Sequence, residues 1–151
     1  MSRQNSEIVR RFFDVLERSL VAWDRSRSLV DAIRADDLPP ESQAVLEYLS
    51  PEMEWHPIFS SETYRGFVEI ARGWDELLEA SVNYDLELLD ATDLEDGRVF
   101  ALFGPTLEGR FSGIHVNAAV FAVIALEDGL IVRMDEYTDR REALEAAGLP
   151  G

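Results

Sequence analysis

The chain has no cysteine and only two histidines, His56 and His115, among its 151 residues. Disulfides, thiolate nucleophiles and sulfur-bound zinc are excluded at once, and a classical histidine-rich metal cluster is not expected. Positive charge is scarce as well: 14 Lys and Arg stand against 30 Asp and Glu, for a formal charge of -16. Such a surface repels phosphate backbones and anionic membranes, so neither nucleic acid nor a membrane is an expected partner. No apolar run reaches the roughly 20 residues that span a bilayer, and no basic, apolar leader opens the chain, which points to a cytoplasmic protein. The glycines around Phe111 form neither a phosphate loop nor a dinucleotide fingerprint, and no serine sits in a nucleophile elbow. No cofactor and no metal are expected.

What is present is the material of one globular core, with 46% hydrophobic and 10% aromatic residues. The length suits a single domain over residues 1–151. From Glu7 to Trp23 the residues Ile8, Val9, Phe12, Phe13, Leu16, Leu20 and Trp23 recur at helical spacing, which predicts an amphipathic helix. An extended segment of about 24–50 carries two further helical patterns, Ser28 to Arg34 and Glu41 to Leu49, divided by Pro39-Pro40. It is expected to cap a pocket or to thicken the helical layer.

Glu52 to His56 alternates as a short strand, with Met53 and Trp55 on one side and Glu54 and His56 on the other. A helix follows from Phe67 to Val82 with Val68, Ile70, Ala71, Trp74, Leu77 and Leu78 as its inner stripe. The remainder reads as antiparallel sheet. Asp96-Gly97 and Asp128-Gly129 are hairpin dipeptides, and tight turns there would pair Leu94 with Val99 and Phe121 with Glu136. The strand from Ile114 to Leu126 is apolar on both faces, so it should be covered twice, once by helices and once by a second copy of the chain. A homodimer through the sheet is the expected assembly. Asp139 with Glu142 begins a last helix that Gly148 ends.

If the turn at Asp128-Gly129 sets the register, His115, Asn117, Phe121, Val123, Val132, Met134 and Glu136 share one face. An imidazole, an amide and a carboxylate would then enter an apolar cavity. Desolvation there would bring Glu136 or His115 into the range of a general base, while Asn117 or Tyr64 would steady an oxyanion. Trp55, Tyr64, Trp74, Tyr84, Phe103, Phe121 and Met134 are the candidate walls for a flat, apolar ligand. Each of these aromatics could equally be plain core.

Met53-Glu-Trp-His-Pro57, Tyr64-Arg-Gly66, Phe111-Ser-Gly113 and Asp139-Arg-Arg-Glu-Ala-Leu-Glu-Ala-Ala-Gly-Leu149 follow one another in an order and spacing that resembles the SnoaL-like proteins of the nuclear transport factor 2-like superfamily. The resemblance implies an α+β, cystatin-like roll. In it a strongly curved, mostly antiparallel sheet wraps as a cone over N-terminal helices, with an apolar pocket at the open end and dimerisation through the sheet. Superfamily members include polyketide cyclases, ketosteroid isomerase and limonene-epoxide hydrolase, besides proteins that only bind or assemble. Two readings therefore stand: an isomerase, cyclase or hydrolase that binds a small apolar molecule and uses acid/base chemistry, or a non-catalytic binding or assembly module with a vestigial pocket. The chain departs from its relatives at Phe67 and Ala122, where histidine is common, and at His115 and Asn117, where acids are common. A ready-made acid/base set is not inherited.

Overall fold

The computed structural model describes residues 2–109, 115–117 and 119–150, with residues 2–4 and 115–117 in backbone only. The helices are α1 (Ser2–Ala22), α2 (Leu29–Arg34), α3 (Pro40–Leu46), α4 (Gly66–Glu79) and α5 (Arg140–Ala147). The strands are β1 (Leu49–His56), β2 (Tyr64–Arg65), β3 (Ser81–Asp93), β4 (Val99–Gly109), β5 (His115–Asn117), β6 (Val120–Glu127) and β7 (Leu130–Tyr137). They form one curved, unclosed sheet in the order β2-β1-β7-β6-β4-β3, with β5 beside β4. Among the described residues only β1 and β7 run parallel. The expected α+β architecture is what the chain adopts. Among the described residues no helix is long and apolar enough to cross a membrane.

The amphipathic stripe of α1 explains its position. Val9, Phe12, Phe13 and Leu16 are buried against the inner face of the sheet, where Phe13 meets Phe103 at 5.3 Å between ring centroids. Ser6 also fixes the helix across the sheet, since its backbone N–H and hydroxyl both donate to Asp93, at 3.0 and 2.8 Å. On α4, Ile70, Ala71 and Leu78 are buried as expected, but Val68 is 37% exposed and does not belong to the inner stripe. Gly73 of α4 lies directly on the aromatic core. A Cβ there would stand 2.9 Å from Cζ3 of Trp55 and 3.1 Å from the Tyr64 ring, so the helix approaches only because the side chain is missing.

Both hairpins depart from the simplest reading of their turns. At Asp128-Gly129 both φ angles are positive, 51° and 81°, and the tight turn pairs Glu127 with Leu130 and Leu126 with Ile131. Beyond it a bulge leaves Val132 without a partner, and the ladder resumes one residue out of step, with Ala125 opposite Arg133. Phe121 therefore pairs with Tyr137, and Glu136 with Ala122. The expected Phe121–Glu136 pairing is corrected by that single residue.

At Asp96-Gly97 only the glycine has positive φ, 89°, and the carbonyl of Arg98 accepts from the Leu94 N–H, so Asp93, not Leu94, pairs with Val99. A second shift at Leu89 then sets Leu88 opposite Phe103. Two slips of one residue cancel in parity. Tyr84, Leu86, Leu88, Ala101 and Phe103 therefore share a face, and Asp90 pairs with Leu102.

The expected single strand from Ile114 to Leu126 is divided. β5 and β6 pair with β4 in the same antiparallel register, and Ala119 belongs to neither strand. As expected, β6 is covered on both faces. Val120, Ala122 and Ile124 face the core, while Val123 lies with Leu94 under Ala147 of α5. The chain's own last helix thus takes part of the face assigned to a second subunit. That helix is capped as the sequence suggests: Asp139 accepts from the Arg141 N–H at 2.8 Å, and Gly148 closes the C-terminus at φ 75°.

Candidate active site

Between α1, the α2–α3 segment, α4 and the inner face of the sheet lies a cavity of about 180 Å³. Its walls are almost wholly apolar, and Glu136 is the one charged residue among those that line it. The bulge at Val132 is what brings the carboxylate inside, because it sets Met134 and Glu136 on the same face as Ala122 and Ile124. Trp55 pairs with Met134 across the parallel β1–β7 ladder, so its indole reaches the next inward position of β7.

There Trp55 Nε1 donates to Oε2 of Glu136 at 2.8 Å, and the backbone N–H of Ile58 donates to Oε1 at 3.2 Å. Desolvation raises the Glu136 pKa from 4.5 to about 7, and the two hydrogen bonds pull the other way. Burial dominates because the bonds come from neutral donors. The carboxyl is thus held in place yet close to half-protonated at neutral pH.

Around it the aromatics form a row. Trp55 stacks on Trp74 at 5.5 Å, and Tyr84 meets Trp74 edge-on at 5.6 Å. The Tyr84 phenol lines the cavity without a hydrogen bond from any described residue. Burial first, and then the charge of Glu136, hold its pKa above the ordinary tyrosine value, so it stays a neutral O–H donor. Phe103 and Met134 complete the expected wall.

Two of the expected site residues are placed elsewhere. Tyr64 is fully buried behind Trp55, at 5.6 Å, and does not line the cavity. Its hydroxyl donates to Glu76 at 3.1 Å and lies 3.3 Å from Glu62, while Arg72 sits over its ring. It packs against the tryptophan, and its hydroxyl proton is engaged by Glu76. Phe121 faces away from the cavity and stacks on Phe100 at 6.0 Å, a consequence of the same bulge. Val123 goes with it. The side chains of His115 and Asn117 lie outside the described residues; the backbone register pairs Val116, between them, with the cavity-lining Leu107. His56 stands on the other face of β1 from Trp55, half-buried beside Glu54 at 3.4 Å and Asp135 at 3.8 Å.

Other contributors had no distinctive sequence signal. Ile58 acts through its backbone, and Phe59 packs edge-on to Trp55 at 5.5 Å on the loop that follows Pro57. The α2–α3 segment does cap the cavity, with Leu29, Ile33, Leu38 and Val45 in its wall. It is latched to α4 by Asp75, which accepts from the Ser28 hydroxyl at 2.8 Å and from the backbone N–H groups of Leu29 and Val30 at 2.7 and 3.2 Å. Among the described residues no group of acids and histidines is arranged to hold a metal ion.

Comparison with known proteins places this architecture. Residues 26–134 match the SnoaL-like domain family. No curated protein matches the chain. Among solved structures, Bal32a from a soil-derived mobile gene cassette is 17% identical, with 97% of each chain covered and a TM-score of 0.65. SalBIII, an epoxide hydrolase/cyclase-like enzyme in pyran ring formation in the polyether salinomycin, is 16% identical over 93% of this chain and 96% of its own, with a TM-score of 0.64. TerC, co-crystallised with polyporic acid, is 17% identical over 80% and 92%, with a TM-score of 0.56. At these identities the likeness is one of fold.

Proposed function

We infer, since the chain belongs to the SnoaL-like domain family, that its cavity binds a small, largely apolar molecule and that Glu136 moves a proton on it. The supporting observation is a single carboxyl, close to half-protonated at neutral pH, in the wall of an otherwise apolar cavity. General acid/base catalysis works best when the group's pKa lies near the working pH. The chemistry that fits is abstraction of a proton next to a carbonyl, as in an isomerisation or a ring closure. The Glu136 carboxylate takes the Cα proton, the electron pair moves onto the carbonyl oxygen, and the Tyr84 O–H donates to the enolate that forms. Return of the proton to carbon restores the carboxylate. Trp55 and Ile58 hold the base at a fixed angle and leave its outer lone pairs for the substrate.

A second reading rests on the same two bonds. Each oxygen of Glu136 already accepts one N–H, which also suits a carboxyl that fixes the Ile58 loop over a cavity used only for binding. In either reading a homodimer through the outer sheet face is supported by the half-buried Phe100–Phe121 pair, beside the part of that face that α5 covers.

The readings separate with 2-tetralone in D2O. Catalysis predicts α-proton exchange above the buffer rate, rising with pH through a midpoint near 7 and then levelling. Binding of 2-tetralone with exchange at the buffer rate would leave the non-catalytic reading. No binding at all would count against both.

A further inference from the structure

Three polar residues, Ser19, Trp23 and Ser42, line the cavity from α1, the residue that follows it and α3. Ser19 and Trp23 stand one helical turn apart, at the end of α1 and just beyond it, and therefore share a face. Ser42 of α3 meets them from the capping segment, its Oγ 2.9 Å from that of Ser19. Both serines are buried, both line the cavity, and so does Trp23. Trp23 is only 6% exposed, and its Nε1 is buried with no hydrogen-bond partner among the described residues.

The proton count is uneven. One serine hydroxyl donates to the other, and the accepting serine's own O–H then has no acceptor among the described residues. With the indole N–H, two donors are left without an oxygen to receive them. A buried unsatisfied donor costs on the order of 1–3 kcal/mol, so a fold that keeps two such donors together in a cavity wall calls for an explanation. The aromatic row connects them to the proposed base. Trp23 packs with Leu78 against Trp74 and Tyr84, and Trp74 in turn stacks on Trp55, the partner of Glu136.

We propose that Ser19, Ser42 and Trp23 form a second polar subsite that receives an uncharged hydrogen-bond acceptor, a carbonyl or ether oxygen, on the end of the ligand remote from Glu136. The subsite rests on the reading of the cavity as a ligand site, and it narrows the ligand class. The molecule is apolar in its middle, where Trp74, Tyr84 and Phe103 surround it, and carries oxygen at both ends. A carboxylate or phosphate at the Trp23 end is disfavoured by charge, because no cation among the described residues lines the cavity to meet it. Arg27 lies over the Trp23 ring at 5.2 Å but is not among the lining residues. The α2–α3 segment thereby does more than seal the site: its Ser42 is one of the reading groups.

The test uses 2-acetylnaphthalene and 2-isopropenylnaphthalene, which differ only in C=O against C=CH2. Wild-type protein should bind the ketone about tenfold more tightly, as expected for one or two neutral hydrogen bonds. That ratio should fall to near unity when Trp23→Phe is combined with Ser42→Ala. In 15N-labelled wild-type protein the three indole N–H signals, one for each tryptophan, provide a readout that needs no folded variant. The ketone should move the Trp23 signal downfield, and the alkene should not. A ketone preference that survives both substitutions but disappears in Tyr84→Phe would overturn the subsite and leave the Glu136 site standing. An unmoved Trp23 signal with bound ketone would overturn it as well. If neither probe binds wild-type protein, the cavity reading and the subsite fail together.

Discussion

Between pH 5 and pH 8 the wild-type protein should lose roughly 2.5 kcal/mol of unfolding free energy relative to Glu136→Gln, because burial raises the carboxyl's pKa from 4.5 to about 7. The direction follows from which state binds the proton more tightly. The folded protein does, so the contribution of Glu136 is complete below about pH 4.5 and is lost as the pH rises through 7. Beyond that the ionised group has been forced into an apolar wall, and the difference levels off. The glutamine variant has no such proton to lose. Other carboxylates titrate in both proteins and cancel in the difference, which matters in a chain of charge -16. Urea unfolding of the two proteins at several pH values measures this directly. Parallel stability curves would mean that the carboxyl is solvated and the cavity wet.

The larger effect in rate terms is expected from the same substitution in the exchange reaction. Glu136→Gln keeps the side-chain length and one oxygen, and loses only the group that takes the proton. General-base contributions are typically 10²–10⁴-fold, so 2-tetralone exchange should fall by about that factor. Its affinity should change by only a few fold, because the aromatic walls are untouched. Tyr84→Phe should slow exchange less, by about 10²-fold, since it removes one donor to the enolate and leaves the base. Exchange that continues at the wild-type rate in Glu136→Gln would mean that another group abstracts the proton.

Much of this architecture is legible in side-chain periodicity. The stripe of α1, the alternation of Met53 and Trp55 against Glu54 and His56, and the cap and stop of α5 all carry their signal in residues three, four or two apart. The tight glycine turn at Asp128-Gly129 was readable too. What periodicity cannot carry is the bulge. Val132 is a β-branched residue that fits a regular strand as well as a bulged one, and one unpaired residue exchanges the faces of everything beyond it along the ladder. That is why Phe121 left the expected constellation while Glu136 and Met134 stayed together. In the other hairpin two slips, one in the turn and one at Leu89, restored the face that one would have destroyed.

The donors to Glu136 show a different limit. Trp55 was visible as an aromatic, but its pairing to Met134 is parallel and spans more than 70 residues of sequence. The Ile58 donor is a backbone N–H, which any residue but proline possesses. The polar trio around Trp23 was hidden for a third reason. Ser19, Trp23 and Ser42 are individually unremarkable on amphipathic helices, and only the packing of α3 against α1 brings the second serine to the first.

The central claim is that Glu136 is a carboxyl held near neutrality of charge by an apolar cavity, and the most direct measurement is its own titration. Protein labelled with 13C at the glutamate carboxyl, with the Glu136 resonance assigned by its absence from Glu136→Gln, should show that signal shifting with a midpoint near pH 7, well above the 4.5 of an ordinary glutamate. A Glu136 midpoint between about 4 and 5, among the surface glutamates, would contradict the account.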